Sequence, residues 1–238
     1  MIIVIIALAT IAVFISWLLI KKPLLRVSFG LLSLLIFAGS ITMLTNHFVH
    51  HTGMTIKTTK QTRDIFSAAE AGTPFGLLIT QEIGSSSGNY VLVYRDKVSD
   101  KEATAHFVPK KEEPAEAVKQ VVTYKQAKVD KATLTTITKR YTWSSDWAKL
   151  LYGFGGEDQE LVSRHVIATV PNDTWLVLTK EKAEQLPTIA QQLQEDQRQK
   201  ALANPQAAAE WQNRMNQNPK AILVQQVEAL KKALNENN

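Results

Sequence analysis

Two long segments without a charged side chain, at the start of the chain, constrain its fold more than any other feature. The first covers residues 1–20 and the second residues 27–46, and a short basic turn separates them. A helix of about 20 apolar residues is long enough to cross the hydrocarbon core of a bilayer. The pattern therefore predicts a transmembrane helical hairpin over residues 1–46. The lipid bilayer is accordingly a predicted partner of the chain.

The turn between these segments predicts their orientation. It contains three basic side chains, Lys21, Lys22 and Arg26. Short loops rich in lysine and arginine stay in the cytoplasm. The next basic residues, from Lys57 onward, lie farther from the bilayer and carry less weight. We therefore expect a cell-membrane protein with two spans, its turn inside and its soluble domain outside the cytoplasm.

The charge pattern also excludes several classes of protein. The basic residues follow the first apolar segment, whereas those of a cleaved signal peptide precede it. Without the three basic residues of the turn, the net charge of +5 falls to +2, so no nucleic-acid partner is expected. The chain has no cysteine, which excludes disulfides and thiolate metal sites.

Small residues recur in both apolar segments: Ala12, Ser16, Gly30, Ser33, Gly39 and Ser40. Small residues allow helices to approach closely in lipid. Packing of the two segments against each other is the favoured interpretation, and contact with a partner membrane protein is the alternative. Neither segment carries an ionisable residue inside it, which argues against transport.

The remainder of the chain divides by composition into three parts. Residues 47–73 are polar and rich in threonine and lysine, which predicts a stalk. Residues 74–179 contain β-rich runs, among them 76–83 and 90–95 around a Gly/Ser/Asn turn, which is typical of a hairpin. A charged loop is expected over 110–114. The pattern predicts an antiparallel, β-rich soluble domain.

A helical tail is expected over residues 180–238. Helices are predicted over 180–186, from Pro187 to 203, over 206–217 and over 220–235. The last carries an apolar stripe of Leu223, Val227, Leu230 and Leu234, too short for a convincing coiled coil. We expect it to dock on the β-rich domain. The predicted fold class is therefore a membrane-anchored α+β protein, with a hairpin, a β-rich domain and a helical tail.

The most distinctive soluble stretch is the aromatic and glycine-rich segment 143–156. A short helix is expected over 147–152. The segment offers a possible interaction surface for a membrane, a glycan or a partner, formed by Trp147, Leu150, Leu151, Tyr152 and Phe154. The favoured interpretation is that these side chains pack in the core, because aromatic clusters usually do.

No catalytic, cofactor or metal site is predicted from the sequence. His47 and His51 are spaced to share a helix face, with His50 between them, but no third metal ligand is evident nearby. Anchoring at the bilayer interface is therefore favoured for these histidines. The glycine-containing loops lack the lysine and the following helix of a phosphate-binding loop. His106 and His165, each alone in a β-rich run, are expected to be structural.

Several points of this sequence together resemble a known family. They are Lys22-Pro23 in the turn, the Thr/Lys-rich strands, the segment 147–153, Val170-Pro171, Trp175 and Leu178-Thr179. The chain is similar here to two-span membrane proteins of lactic acid bacteria that form a domain family of unknown function. The resemblance implies a membrane location in a Gram-positive cell. It implies no activity, cofactor or catalytic residue.

Three functions stay open at this level. The first is a non-catalytic, extracytoplasmic binding or accessory module that works with another membrane or envelope protein. The second is a cell-envelope glycan-acting enzyme that uses Glu157, Asp158 or Glu160. The third is a structural or sensory subunit whose C-terminal stripe joins copies of the chain. The first is favoured, because no catalytic constellation is visible.

Overall fold

The computed structural model describes residues 1–70, 72–109, 114–204, 206, 213 and 217–236. Most of the helix predicted over 206–217, and positions 110–113 of the predicted charged loop, lie outside the described residues. The chain forms two compact units. The first unit consists of Met1–Thr59 and Thr138–Val162, and the second of Lys60–Ile137 and Ser163–Asn238.

The described helices and strands follow an α+β order, in which runs of two to four strands are separated by helices. The helices are α1 (Ile2–Leu18), α2 (Pro23–His50), α3 (Pro114–Val118), α4 (Asp146–Tyr152), α5 (Lys180–Ala203) and α6 (Pro219–Glu236). The strands are β1 (Met54–Asp64), β2 (Gly76–Glu82), β3 (Tyr90–Tyr94), β4 (Thr104–His106), β5 (Gln120–Ala127), β6 (Thr133–Trp143), β7 (Leu161–Pro171) and β8 (Trp175–Thr179). Strands β1, β6 and β7 contribute residues to both units.

One helix among the described residues, α2, is long and apolar enough to cross a membrane. Helix α1 has no charged side chain, but it has 17 residues and falls just short of that length. Pro23 opens α2, since a proline at the first helical position loses no hydrogen bond. The predicted six-residue turn is therefore too long. Lys21 and Lys22 lie in the connection, whereas Arg26 lies in the first turn of α2.

Helices α1 and α2 pack against each other through small residues. Ser16, Ser33 and Ser40 are buried, and the two α2 serines bond to carbonyl groups one turn earlier. A side chain added at Gly30 would come within 2.6 Å of the Trp17 indole nitrogen. Gly39 faces open space instead. The expected packing within the pair therefore holds for these serines and Gly30, and fails for Gly39.

Replacing Gly30 by isoleucine should force Trp17 away from α2 and destabilise the helix pair. Overpacking of this kind costs about 1–3 kcal/mol. Thermal unfolding of the purified protein in detergent would measure it. Gly39→Ile is the matched control, because both substitutions change helix propensity equally but only one meets a neighbour. Equal melting temperatures for the two variants would contradict the close approach at Gly30.

Both sheets contain a parallel pair, so the prediction of an antiparallel domain is wrong. One sheet has the strand order β1-β6-β7-β5 and the other β4-β3-β2-β8. Strand β5 lies parallel to β7, and β2 lies parallel to β8. The predicted hairpin of β2 and β3 is antiparallel, as expected. The parallel partners are far apart in the chain, because parallel pairing requires a long crossover connection.

The second unit has a core between its two sheets and a helical layer outside one of them. Leu78, Leu92 and Tyr94 from one sheet meet Val122 and Val166 from the other, all fully or almost fully buried. The opposite side of β2 and β8 is covered by α5 and α6. Strand β2 is therefore apolar on both sides, which explains its continuous run of apolar residues.

Regular structure occupies more than half of the predicted stalk over residues 47–73. It contains the last turn of α2 and the edge strand β1, whose residues are almost all exposed. A strand that is polar on both sides shows no apolar alternation, so the sequence pattern did not reveal it. Its lysines and threonines suit an edge strand, because charged edges discourage pairing with other chains.

The C-terminal stripe packs as predicted. Val227, Leu230 and Leu234 are buried against α5, β2 and β8, which confirms docking on the β-rich domain. The predicted break at Pro187 is wrong, because α5 runs through it without interruption. Burial of Leu186 and Ile189 on either side of the proline holds both halves of the helix on the sheet.

Candidate functional site

Helix α4 presents one buried side and one exposed side. Its N-terminus is capped by the Ser145 hydroxyl, which accepts a hydrogen bond from the Ala148 amide. Ala148 and Tyr152 are buried and Leu151 is partly buried. Three apolar side chains of this segment point to solvent: Trp147, Leu150 and Phe154, which are 74%, 49% and 46% exposed. Core packing of these three is therefore wrong, because a single short helix buries only one side.

The buried side of α4 contacts the ends of the two apolar helices. Tyr152 and Ala148 form a cluster with Ile2, joined by the partly buried Leu44 and Trp143. The α-amino group of Met1 donates hydrogen bonds to the carbonyl oxygens of Leu150 (2.9 Å) and Leu151 (3.2 Å). These carbonyls lie in the last turn of α4, where a positive charge is favourable.

His47, in the last turns of α2, is fully buried at the centre of this cluster. Its ring stacks on Tyr152 at 4.3 Å and lies 5.7 Å from the ring of Trp143. Its Nδ1 donates to the carbonyl oxygen of Thr52, 2.8 Å away. Its Nε2 lies 2.7 Å from the Glu157 carboxylate, at ion-pair distance but without the alignment of a hydrogen bond.

A sharp turn connects α2 to β1 beside α4. His51 ends α2 in the left-handed conformation, and Gly53 has a φ of 91°. A Cβ atom added at Gly53 would lie 3.1 Å from the Cβ of Ala148. Both this close approach and the positive φ favour glycine at position 53. Ser144 donates to the Gly53 carbonyl from both its amide and its hydroxyl group.

The three histidines of this region lie in different surroundings. His47 is buried and donates a hydrogen bond through Nδ1 alone, His50 is exposed, and the ring of His51 contacts the ring of Tyr141 at 4.1 Å. His51 leaves the helix, so the shared helical face expected for His47 and His51 does not form. Among the described residues, no three metal-binding side chains come together.

The acidic cluster does not act as a unit. Glu157 is largely buried against His47, whereas Asp158 and Glu160 are exposed. The main chain of Gln159 and Glu160 pairs with that of Tyr141. None of these three carboxylates lines the cavity of the second unit that is described next.

The second unit contains a cavity of about 620 Å³ that the sequence did not indicate. His106, Phe107, Glu116, Gln120 and Arg164 are among its lining residues. The Arg164 guanidinium lies 3.4 Å from Glu116 and donates to the Gln120 side chain at 3.3 Å. The cavity thus combines an apolar wall with an ion pair, as small-molecule sites often do.

His106 also belongs to a polar cluster. The ring of His106 stacks on the ring of Tyr94, with centroids 3.9 Å apart, and the Tyr94 hydroxyl accepts a hydrogen bond from Arg63 at 2.8 Å. Burial raises the pKa of Tyr94 to about 12. His106 Nε2 faces both Thr104 Oγ1 at 3.0 Å and Asp96 at 3.8 Å. A hydroxyl–histidine–acid relay needs the acid on the other ring nitrogen, so these residues do not form one.

The sequence did not indicate that these polar residues come together, because they belong to separate strands and loops. Arg63 lies in β1, Asp96 follows β3 and His106 ends β4. His165 lies exposed in β7 and joins none of them.

Comparison with known proteins identifies a family for this chain. Residues 22–186 match the domain family DUF4811, described as a domain of unknown function. The matched range runs from the start of α2 into α5 and includes α4, His47 and the cavity. No curated protein and no solved structure matches the chain.

Proposed function

The chain belongs to the DUF4811 family, and from the geometry of its own residues we propose that it is a membrane-anchored, non-catalytic binding or accessory module. Its proposed location is the cell membrane, with two spans and an extracytoplasmic soluble part. The envelope of a Gram-positive bacterium, such as a lactic acid bacterium, is the proposed setting. A domain without cysteine suits that surface.

One observation supports anchoring above all: the burial of His47 between Tyr152, Trp143 and Glu157. The last turns of the helix that can cross a membrane are thereby packed into folded structure. A flexible stalk would leave the imidazole in water. The first unit therefore holds α4 at a defined position next to the end of α2, which suits a module that presents a surface close to a membrane.

The second span rests on the exposed surface of α1. This helix carries no charge, and Leu8, Phe14 and Leu18 are among its many exposed apolar side chains. Soluble proteins rarely expose apolar patches of this extent. Lipid would cover them at no cost, since about 25 cal/mol is gained for each Å² of apolar surface removed from water.

The orientation can be tested by cysteine labelling, because the natural chain has no cysteine. We expect a membrane-impermeant maleimide to label Ser85→Cys on intact cells. Leu19→Cys, in the connection between α1 and α2, should be labelled only after lysis. The reverse pattern would overturn the extracytoplasmic location, and recovery of the protein in the detergent-free soluble fraction would overturn the anchoring.

A binding role is supported by the cavity at Arg164 and His106. The two alternative functions lack such an observation. Glu157, the candidate acid of a glycan-acting enzyme, faces His47, and the stripe of α6 that would join copies is buried within its own chain. We therefore propose that the partner is a membrane or envelope protein, and that neither Glu157 nor the stripe of α6 binds it.

A further inference from the structure

We propose that the exposed side of α4 lies in the headgroup region of the bilayer, where lipid covers Trp147, Leu150 and Phe154. These three residues are called the aromatic face below. The inference rests on the proposed membrane anchoring and adds a second point of membrane contact, formed by the segment after β6.

The aromatic face is held outward by the packing of the opposite side of the helix. Ala148 and Tyr152 are buried on Ile2 and His47, so α4 cannot turn without breaking this cluster. The outward side chains stay exposed although a buried site for them would be favourable. An exposed tryptophan beside other exposed apolar groups marks an interaction surface.

The aromatic face is continuous with the surface that α2 presents to lipid. The ring of Phe154 meets the ring of Phe48 edge-on, with centroids 6.2 Å apart. Phe48 and Val49 are exposed on the last turn of α2. The aromatic face therefore extends the apolar surface of the membrane helix at the level where that helix ends.

The chemistry of α4 matches the interface rather than the hydrocarbon core. Tryptophan and tyrosine concentrate where the bilayer meets water. Asp146 and Lys149 are exposed on the same short helix, and a lysine can extend its charge toward the headgroups. An apolar outer surface flanked by charged side chains is the combination that suits the boundary between headgroups and acyl chains.

The test uses single-cysteine variants of the full-length protein, labelled with the fluorophore NBD and reconstituted in phosphatidylcholine vesicles. Leu150→Cys reports on the aromatic face. Leu35→Cys, in the middle of α2, is the control for the hydrocarbon core. Spin-labelled lipids carry the quencher either near the headgroup or deep in the acyl chain.

We expect the shallow quencher to reduce the fluorescence at position 150 and the deep quencher to reduce it at position 35. No quenching at 150 alongside deep quenching at 35 would overturn the inference and leave the anchoring intact. No quenching at 35 would overturn the anchoring itself. Trp147→Cys gives a second position on the same face, and unchanged melting temperatures verify that the variants fold.

Discussion

Replacing His47 by leucine is expected to lower the free energy of unfolding of the first unit by about 2–4 kcal/mol. Leucine keeps most of the side-chain volume, so the loss reports on polar contacts rather than on a cavity. The Glu157 carboxylate loses its partner while it stays largely buried, and the Thr52 carbonyl loses its donor. Denaturant unfolding in detergent would measure the change, and hydrogen exchange over residues 146–160 would locate it.

A double-mutant cycle separates the ion pair from the stacking on Tyr152. Glu157→Gln alone should also destabilise, and the double variant should lose less than the sum of the single losses. The coupling between the two sites is expected to be about 1–3 kcal/mol. Asp158→Asn is the control, because its exposed side chain should matter by less than about 0.5 kcal/mol. Strictly additive losses would show that the pair contributes nothing.

Truncation of Leu230 to alanine is expected to destabilise the second unit by about 2–5 kcal/mol. The side chain is buried with Val227 and Leu234 between α6 and the sheet, so its removal leaves a cavity in a closely packed layer. Glu228→Ala is the matched control, since it changes an exposed residue of the same helix to a good helix former.

Light scattering on the same variants distinguishes the two interpretations of the stripe. A stripe that packs within its own chain predicts an unchanged mass for the Leu230→Ala variant at temperatures where it is folded. A lower mass together with an unchanged melting temperature would mean that the stripe joins copies, contrary to its burial in the structure.

The apolar helices and most strands were predictable from local patterns. A run without charge has few alternatives to a membrane or a deeply buried helix, and runs of valine, isoleucine and threonine favour strands. The parallel pairs β2–β8 and β5–β7 were not predictable, because the choice of partner depends on residues far apart in the chain. Strand β1 was missed since it is polar on both sides.

The candidate sites were predictable only in part. The segment around Trp147 stood out by composition, but its composition did not decide which side chains would be buried. That was decided by Ile2, His47 and Trp143, which occupy one side of α4 and leave the other open. The pairing of His47 with Glu157 and the cavity at Arg164 had no motif to reveal them.

The amino-acid order alone therefore determines that the chain begins with apolar helices and that most of the later strands and helices form, because these properties depend on near neighbours and on solvent preference. The function of individual polar residues is decided by the tertiary structure. His47, near the end of the long apolar helix α2, is buried only because the folded chain brings Tyr152, Trp143 and Glu157 around it. Trp147 and Leu150 are exposed on α4 because the opposite side of this helix is already packed against Ile2 and His47.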